Sequence, residues 1–177
     1  MELIWTFLFY SAAGFGLEVA YAHFVTKKRG GRKCLLFLPL CPVYGAGMTA
    51  ILSLPQAILS RPALLFLAGG LICTGVEYLF ALYYERVWHV SFWDYSALPF
   101  QLHGRVCLSF GLAWGLLIAL LVPLAAEPVA ALGRMMPPAL LAGLFAAIWA
   151  DWISTGYVLR RSRDTASLQW WQRGVSE

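Results

Sequence analysis

Long apolar runs alternate with short polar connections along the whole chain. A helix that crosses the hydrocarbon of a bilayer needs about 20 mainly apolar residues, and most of the runs are that long. The first predicted span is 3–25, and it ends at the basic cluster Lys27, Lys28, Arg29, Arg32 and Lys33. The next run, Cys34 to Leu59, is interrupted by Pro39, Pro42 and Pro55. Proline removes a backbone donor and disfavours helix at the residue before it. Residues 35–42 therefore read as a bent or re-entrant approach, and 43–59 as the second span. Arg61-Pro62 predicts a tight turn. Spans three, four and five follow at 63–84, 106–126 and 139–159, and the link after span four contains Pro128, Pro137 and Pro138. Between spans three and four lies a polar loop, 86–105, and residues 161–177 read as an amphipathic or disordered tail.

Composition agrees with the pattern. Hydrophobic residues make up 60% and charged residues 12%, against about 25% charged in soluble domains. That excludes an ordinary soluble domain. Aromatics at 15%, with eight Trp, suit side chains that anchor at the membrane interface. The expected fold class is an all-α integral membrane bundle of about five spans, one domain over 1–160.

The net charge of +4 is no sign of nucleic acid, because the charges follow the spans. Lys27, Lys28, Arg29, Arg32, Lys33, Arg86, Arg105, Arg160, Arg161, Arg163 and Arg173 fall on one side, leaving Arg61 and Arg134 on the other. The positive-inside rule puts the larger group in the cytoplasm. The expected protein is then a multi-pass protein of the inner membrane, with its N-terminus outside and its C-terminus and the 86–105 loop cytoplasmic. The run Lys27, Lys28, Arg29, Arg32, Lys33 is expected to meet anionic lipid.

Candidate chemistry lies with acids inside the spans. Glu18, Glu77 and Asp151 each sit seven or eight residues before the cytoplasmic end of a span, roughly 10–12 Å deep at 1.5 Å per residue. Charged groups there face a bundle interior or a water-filled cavity. One polar cluster is expected, with Arg105 as its counter-charge and Tyr44, Tyr78, Tyr95 and His103 as hydrogen-bonding groups. It reads either as a ligand, ion or proton site, or as an ion pair that seals the loop onto the bundle. Trp93, Asp94 and Tyr95 join it from the loop, where an aromatic belt is the plainer explanation for Trp93 and Tyr95.

No P-loop, HExxH or GxSxG is present, so neither an ATPase, a metal site, a standard hydrolase nor any cofactor is implied. The four cysteines show no CxxC or Cys/His ligand spacing, and Cys73 and Cys107 read as small buried hydrophobes. Gly14 with Gly16, Gly69 with Gly70, Gly111 with Gly115, and the ridge Ala142, Ala146, Ala150 are expected to let helix backbones approach.

Five segments carry a family resemblance: Gly14-Phe15-Gly16-Leu17-Glu18, Cys41-Pro42-Val43-Tyr44-Gly45-Ala46-Gly47, Glu77-Tyr78, Trp93-Asp94-Tyr95-Ser96 and Gly104-Arg105-Val106-Cys107-Leu108. In order and spacing they resemble the putative ABC-transporter type IV (CmpB-like) membrane proteins of bacteria, over about residues 7 to 125. Departures are Arg32-Lys33-Cys34 in place of an Asn-Arg-Gly, Leu38 in place of Gly and Gln101 in place of Asn. The resemblance implies a permease-type membrane subunit, with ATP hydrolysis supplied by a separate ATPase or other soluble subunit. A five-helix conduit is thin, so a homodimer is expected with it. Two other readings fit the residues: an enzyme of the inner leaflet acting on a lipid-linked substrate, with Asp94 or Glu77 as base and Arg105 on a phosphate, and a non-catalytic assembly or regulatory subunit.

Overall fold

The computed structural model describes residues 2–26 and 33–169. Lys27, Lys28, Arg29 and Arg32, assigned to anionic lipid, lie outside the described residues, as does Trp170–Glu177 of the tail. The elements are α1 (Glu2–Tyr21, extended by a widened π turn, Ala22–Thr26), α2 (Pro42–Leu52), α3 (Gln56–Leu59), α4 (Pro62–Tyr83, with a π turn over Tyr84–Trp88), β1 (Gln101–Leu102), β2 (Val106–Cys107), α5 (Leu108–Arg134) and α6 (Pro138–Ser162), followed by a 3₁₀ turn at Thr165–Leu168. Four of these helices are long and apolar enough to cross a membrane. The chain is an all-α membrane bundle.

Proline sets the starts of α2, α4 and α6, where Pro42, Pro62 and Pro138 occupy the first turn. A missing amide there removes a donor that has no helical partner in any case. Inside α5 the rule breaks: the helix runs through Pro123 and Pro128 to Arg134, well past the expected end at 126. Contact with α1 supports this extension. The Trp5 indole donates to the Val129 carbonyl at 2.7 Å, and Gly133 sits so close that a Cβ would meet the Trp5 ring at 2.3 Å.

The second crossing differs most from a plain helix. Residues 33–41 are non-helical, α2 has 11 residues, and a turn at Ser53–Pro55 separates it from the short α3. The Cys41 amide donates to the Ser11 carbonyl near the middle of α1 at 2.9 Å, so α2 begins halfway along α1 and runs back beside it. The expected second span at 43–59 is thus a helix of 11 residues, a turn and a helix of four residues, and Pro42–Leu52 is shorter than the four helices that are long and apolar enough to cross a membrane. Non-helical backbone at membrane depth requires partners inside the protein, and here it has them. The Asp151 carboxylate on α6 accepts from three successive amides, Leu36 at 3.1 Å, Phe37 at 3.1 Å and Leu38 at 2.6 Å. Thr155, one turn on, accepts from Leu36 at 2.9 Å. Leu35 is fully buried against Leu8, Leu141 and Ile148.

A disulfide between Cys34 and Cys41, seven positions apart, closes this loop at its base. Loop-closure entropy over so short a ring corresponds to about 2–3 kcal/mol. Cys41→Ser is expected to lower stability by that amount, read as a lowered unfolding midpoint in detergent. Alkylation before and after reduction should show two thiols becoming available together.

Helix α5 packs antiparallel to α4 through small residues. A Cβ on Gly115 would meet the Phe66 carbonyl at 2.6 Å, and one on Gly69 would meet Ile118 at 2.7 Å. Tyr10, Met48, Ile51, Leu65, Ile118 and Val122 fill the core where α1, α2, α4 and α5 meet. At the loop end Tyr84, Trp88 and Trp152 join α4 to α6, with Gly156 admitting the Trp88 ring. Ala142, Ala146 and Ala150, expected to pack inside the bundle, are exposed on α6.

Candidate functional site

The 86–105 loop folds back on itself before it meets the bundle. One Asp94 carboxylate oxygen accepts from the Ser96 amide at 2.9 Å and from its hydroxyl at 2.5 Å, and these bonds hold the Asp94 carboxyl below the usual carboxylate range. The Tyr95 amide donates to the Gly104 carbonyl at 2.7 Å. The Trp93 indole donates to the Arg105 carbonyl at 2.8 Å. Gly104 has φ +69, and a Cβ there would meet Ser96 Oγ at 2.6 Å and Asp94 Oδ1 at 2.8 Å, so glycine is required on both counts. The Trp-Asp-Tyr-Ser and Gly-Arg segments are thus two halves of one folded unit, closed by the hairpin β1–β2.

Arg105 was expected to neutralise a membrane acid, and the structure gives it a different partner. Its guanidinium donates to Glu85 at 2.9 and 2.6 Å and to the Tyr78 hydroxyl at 3.0 Å, and it lies over the Tyr78 ring at 5.2 Å. The bond to Glu85 holds Arg105 in its charged form above its ordinary range. Glu85 lies about two turns beyond Glu77, in the π turn that ends α4, so its carboxylate meets Arg105 while Glu77 remains below. Glu85→Gln is expected to loosen the loop without unfolding the bundle, with faster amide exchange over residues 94–105 and unchanged exchange in α4 and α5.

Glu77 is 6% exposed. It accepts from the Tyr95 hydroxyl of the loop at 2.9 Å and from the Trp114 indole of α5 at 3.0 Å. Glu18 of α1 accepts from the Tyr44 hydroxyl of α2 at 2.5 Å. Tyr44 and Trp114 meet edge to face with ring centres 5.5 Å apart, which links the two acids through their donors. Glu18, Tyr44, Trp114, Glu77 and Tyr95 therefore form one connected set, with Tyr44 seated against Gly14, where a Cβ would meet its ring at 2.2 Å. Asp151 does not join this set. It is buried across the bundle, where it holds the 36–38 amides.

A cavity of about 290 Å³ lies directly beneath. Glu77, Tyr44, Trp93 and Trp114 line its loop end, and Tyr10, Met48, Ile118 and Leu121 its apolar depth. Near the start of α1 the helices α1 and α5 touch through Trp5 and Gly133. Further along, Ala13 and Leu17 of α1 and Leu117 of α5 line the cavity instead. Ala13 and Leu17 are exposed, so the cavity opens sideways between α1 and α5, toward lipid. Among the described residues no group of three or more His, Cys, Asp or Glu is placed to hold a metal.

A family model described as Putative ABC-transporter type IV matches residues 5–156. The chain belongs to that family. The match runs beyond the five segments that carry the resemblance and takes in Asp151 and Thr155, so the clamp on the re-entrant loop lies within the family's region. Membership makes this an ABC-transporter-type membrane protein in the coarse sense of the family's description. No curated protein and no solved structure matches the chain.

Sequence reasoning missed Trp114, Glu85, Thr155 and the Cys34–Cys41 bridge. An indole in the middle of an apolar span, away from both interfaces, was the available signal for Trp114. The bridge carried no such signal, because its seven-residue separation is common to unpaired cysteines.

Proposed function

We propose that this protein is the membrane-embedded, permease-type subunit of a transporter, with its solute site in the cavity between α1, α2, α4 and α5. The observation that carries this reading is a 290 Å³ space with apolar walls and a buried carboxylate, Glu77, at its polar end. Ligand pockets are concave and mostly apolar with a few placed polar groups, and a half-length helix beside a non-helical segment is the form that binding sites take in several transporter folds. Energy would come from a separate ATPase chain. The charge split supports a cytoplasmic loop end, and the burial of Cys34 and Cys41, at 3% and 0% exposure, would shield their bridge from cytosolic thiols. The exposed ridge Ala142, Ala146, Ala150 suits close approach of a second copy.

An inner-leaflet enzyme fits less well, since Arg105, the intended phosphate group, is engaged by Glu85 and Tyr78. The test is purification of the tagged full chain in mild detergent from its native membrane. A co-purifying ATPase whose rate rises with solute is the expected result. A chain that purifies only with copies of itself, from several detergents, would overturn the reading.

A further inference from the structure

The chemistry at the loop end of the cavity is more specific than a generic solute pocket. Three aromatic side chains, Tyr44, Trp93 and Trp114, line it together with Glu77. Glu18 stands behind Tyr44 and accepts a hydrogen bond from its hydroxyl, which leaves the phenol ring more electron-rich. Aromatic faces attract cations through their quadrupole, and rings grouped with carboxylate recognise ammonium groups that carry alkyl substituents. The rest of the cavity is apolar, and it opens toward lipid. Its volume is nearly twice the ~150 Å³ of an apolar cavity that holds benzene, which suits an apolar body of about a dozen non-hydrogen atoms, including the charged group.

We infer that the cavity binds an ammonium group carried on a small apolar body, the nitrogen among Glu77, Tyr44, Trp93 and Trp114, and the body toward Ile118 and Leu121. This rests on the reading of the cavity as the solute site and names the class of solute. A hydrated metal or alkali cation does not suit these walls, since they cannot replace its water. A free anionic solute would face Glu77. The same ammonium chemistry could reach the site on a free hydrophobic amine or on an aminophospholipid headgroup entering between α1 and α5.

The probe is benzyltrimethylammonium, with the neutral neopentylbenzene as its isostere, titrated by equilibrium dialysis into the purified full chain. Saturable binding of the cation is expected, and Glu77→Gln should weaken it about tenfold or more while leaving the neutral isostere unchanged. Should Glu77→Gln fail to fold, Trp114→Leu reads the same site and should weaken the cation severalfold more than the isostere. Equal binding of cation and isostere, no saturable binding of the cation, or indifference to both substitutions would overturn the inference. In nanodiscs, competition by phosphatidylethanolamine over a phosphatidylglycerol background would assign the group to a lipid headgroup, and its lack to a free amine. Saturable binding of the cation, together with failure of any ATPase to co-purify from the native membrane, would sink the transport reading and leave the site. A solute-stimulated ATPase with no binding of the cation would do the reverse.

Discussion

Replacing Asp151 by Ala is expected to cost this protein more stability than any other single change to a polar side chain. The three amides of Leu36, Phe37 and Leu38 point at one carboxylate, in a segment with Leu35 and Cys41 at 0% exposure. Water cannot replace that acceptor, and each buried donor left without a partner costs about 1–3 kcal/mol. The Leu36 amide keeps Thr155 as an acceptor at 2.9 Å, so the Phe37 and Leu38 amides are the two left without a partner, and the expected loss is roughly 2–6 kcal/mol, enough to lower the yield of folded protein sharply. Asp151→Asn keeps one carbonyl acceptor of nearly the same shape and should fall between Ala and the parent. The measurement is thermal unfolding in detergent, with amide exchange at residues 36–38 as the local readout. If Asp151→Ala unfolds within a degree or two of the parent, the carboxylate does not hold the loop.

Gly45→Ala should also be damaging, from the opposite cause. A Cβ there would lie 2.2 Å from Ser11 Oγ and 2.3 Å from the Phe7 carbonyl. The carbonyl belongs to the backbone of α1 and cannot rotate away, so α1 and α2 must separate. Overpacking of this kind costs about 1–3 kcal/mol, and the separation would also widen the seat of Tyr44 below Gly14. The matched control is Gly16→Ala, where nothing lies within 4 Å of the added atom. It should be neutral, or slightly stabilising because alanine is the better helix former. Equal unfolding midpoints for the two variants would refute the close α1–α2 contact.

Most of the secondary structure was legible. The spans at 3–25, 63–84 and 139–159 correspond closely to α1, α4 and α6, because an apolar run of that length in lipid has helix as its available solution. In the proline-broken second run the stretch before Pro42 is non-helical, but the helix after it ends at Leu52, short of the expected 59. The end of α5 was not legible: Pro128 normally stops a helix, and only the Trp5 contact shows why this one continues. The glycines were similarly ambiguous. Gly14 and Gly16 look alike in sequence, yet one receives Tyr44 and the other faces open space.

The candidate site divides the same way. Glu18, Glu77 and Asp151 stand out in the sequence because a carboxylate in a membrane span is costly, and that cost is a property of the residue and its depth. Depth along a helix is one-dimensional, so the sequence could place three acids at a similar level and say nothing about direction around each axis. Tertiary packing supplied the direction. It turned Glu77 into the aromatic end of the cavity, Glu18 onto the Tyr44 hydroxyl behind it and Asp151 toward the 36–38 amides, and it placed Arg105 on Glu85. By itself the sequence determined that the chain is a membrane bundle with costly buried acids and a polar loop. Only the tertiary structure decided which acid holds the backbone together and which faces the cavity, because partner choice depends on which helix faces approach one another.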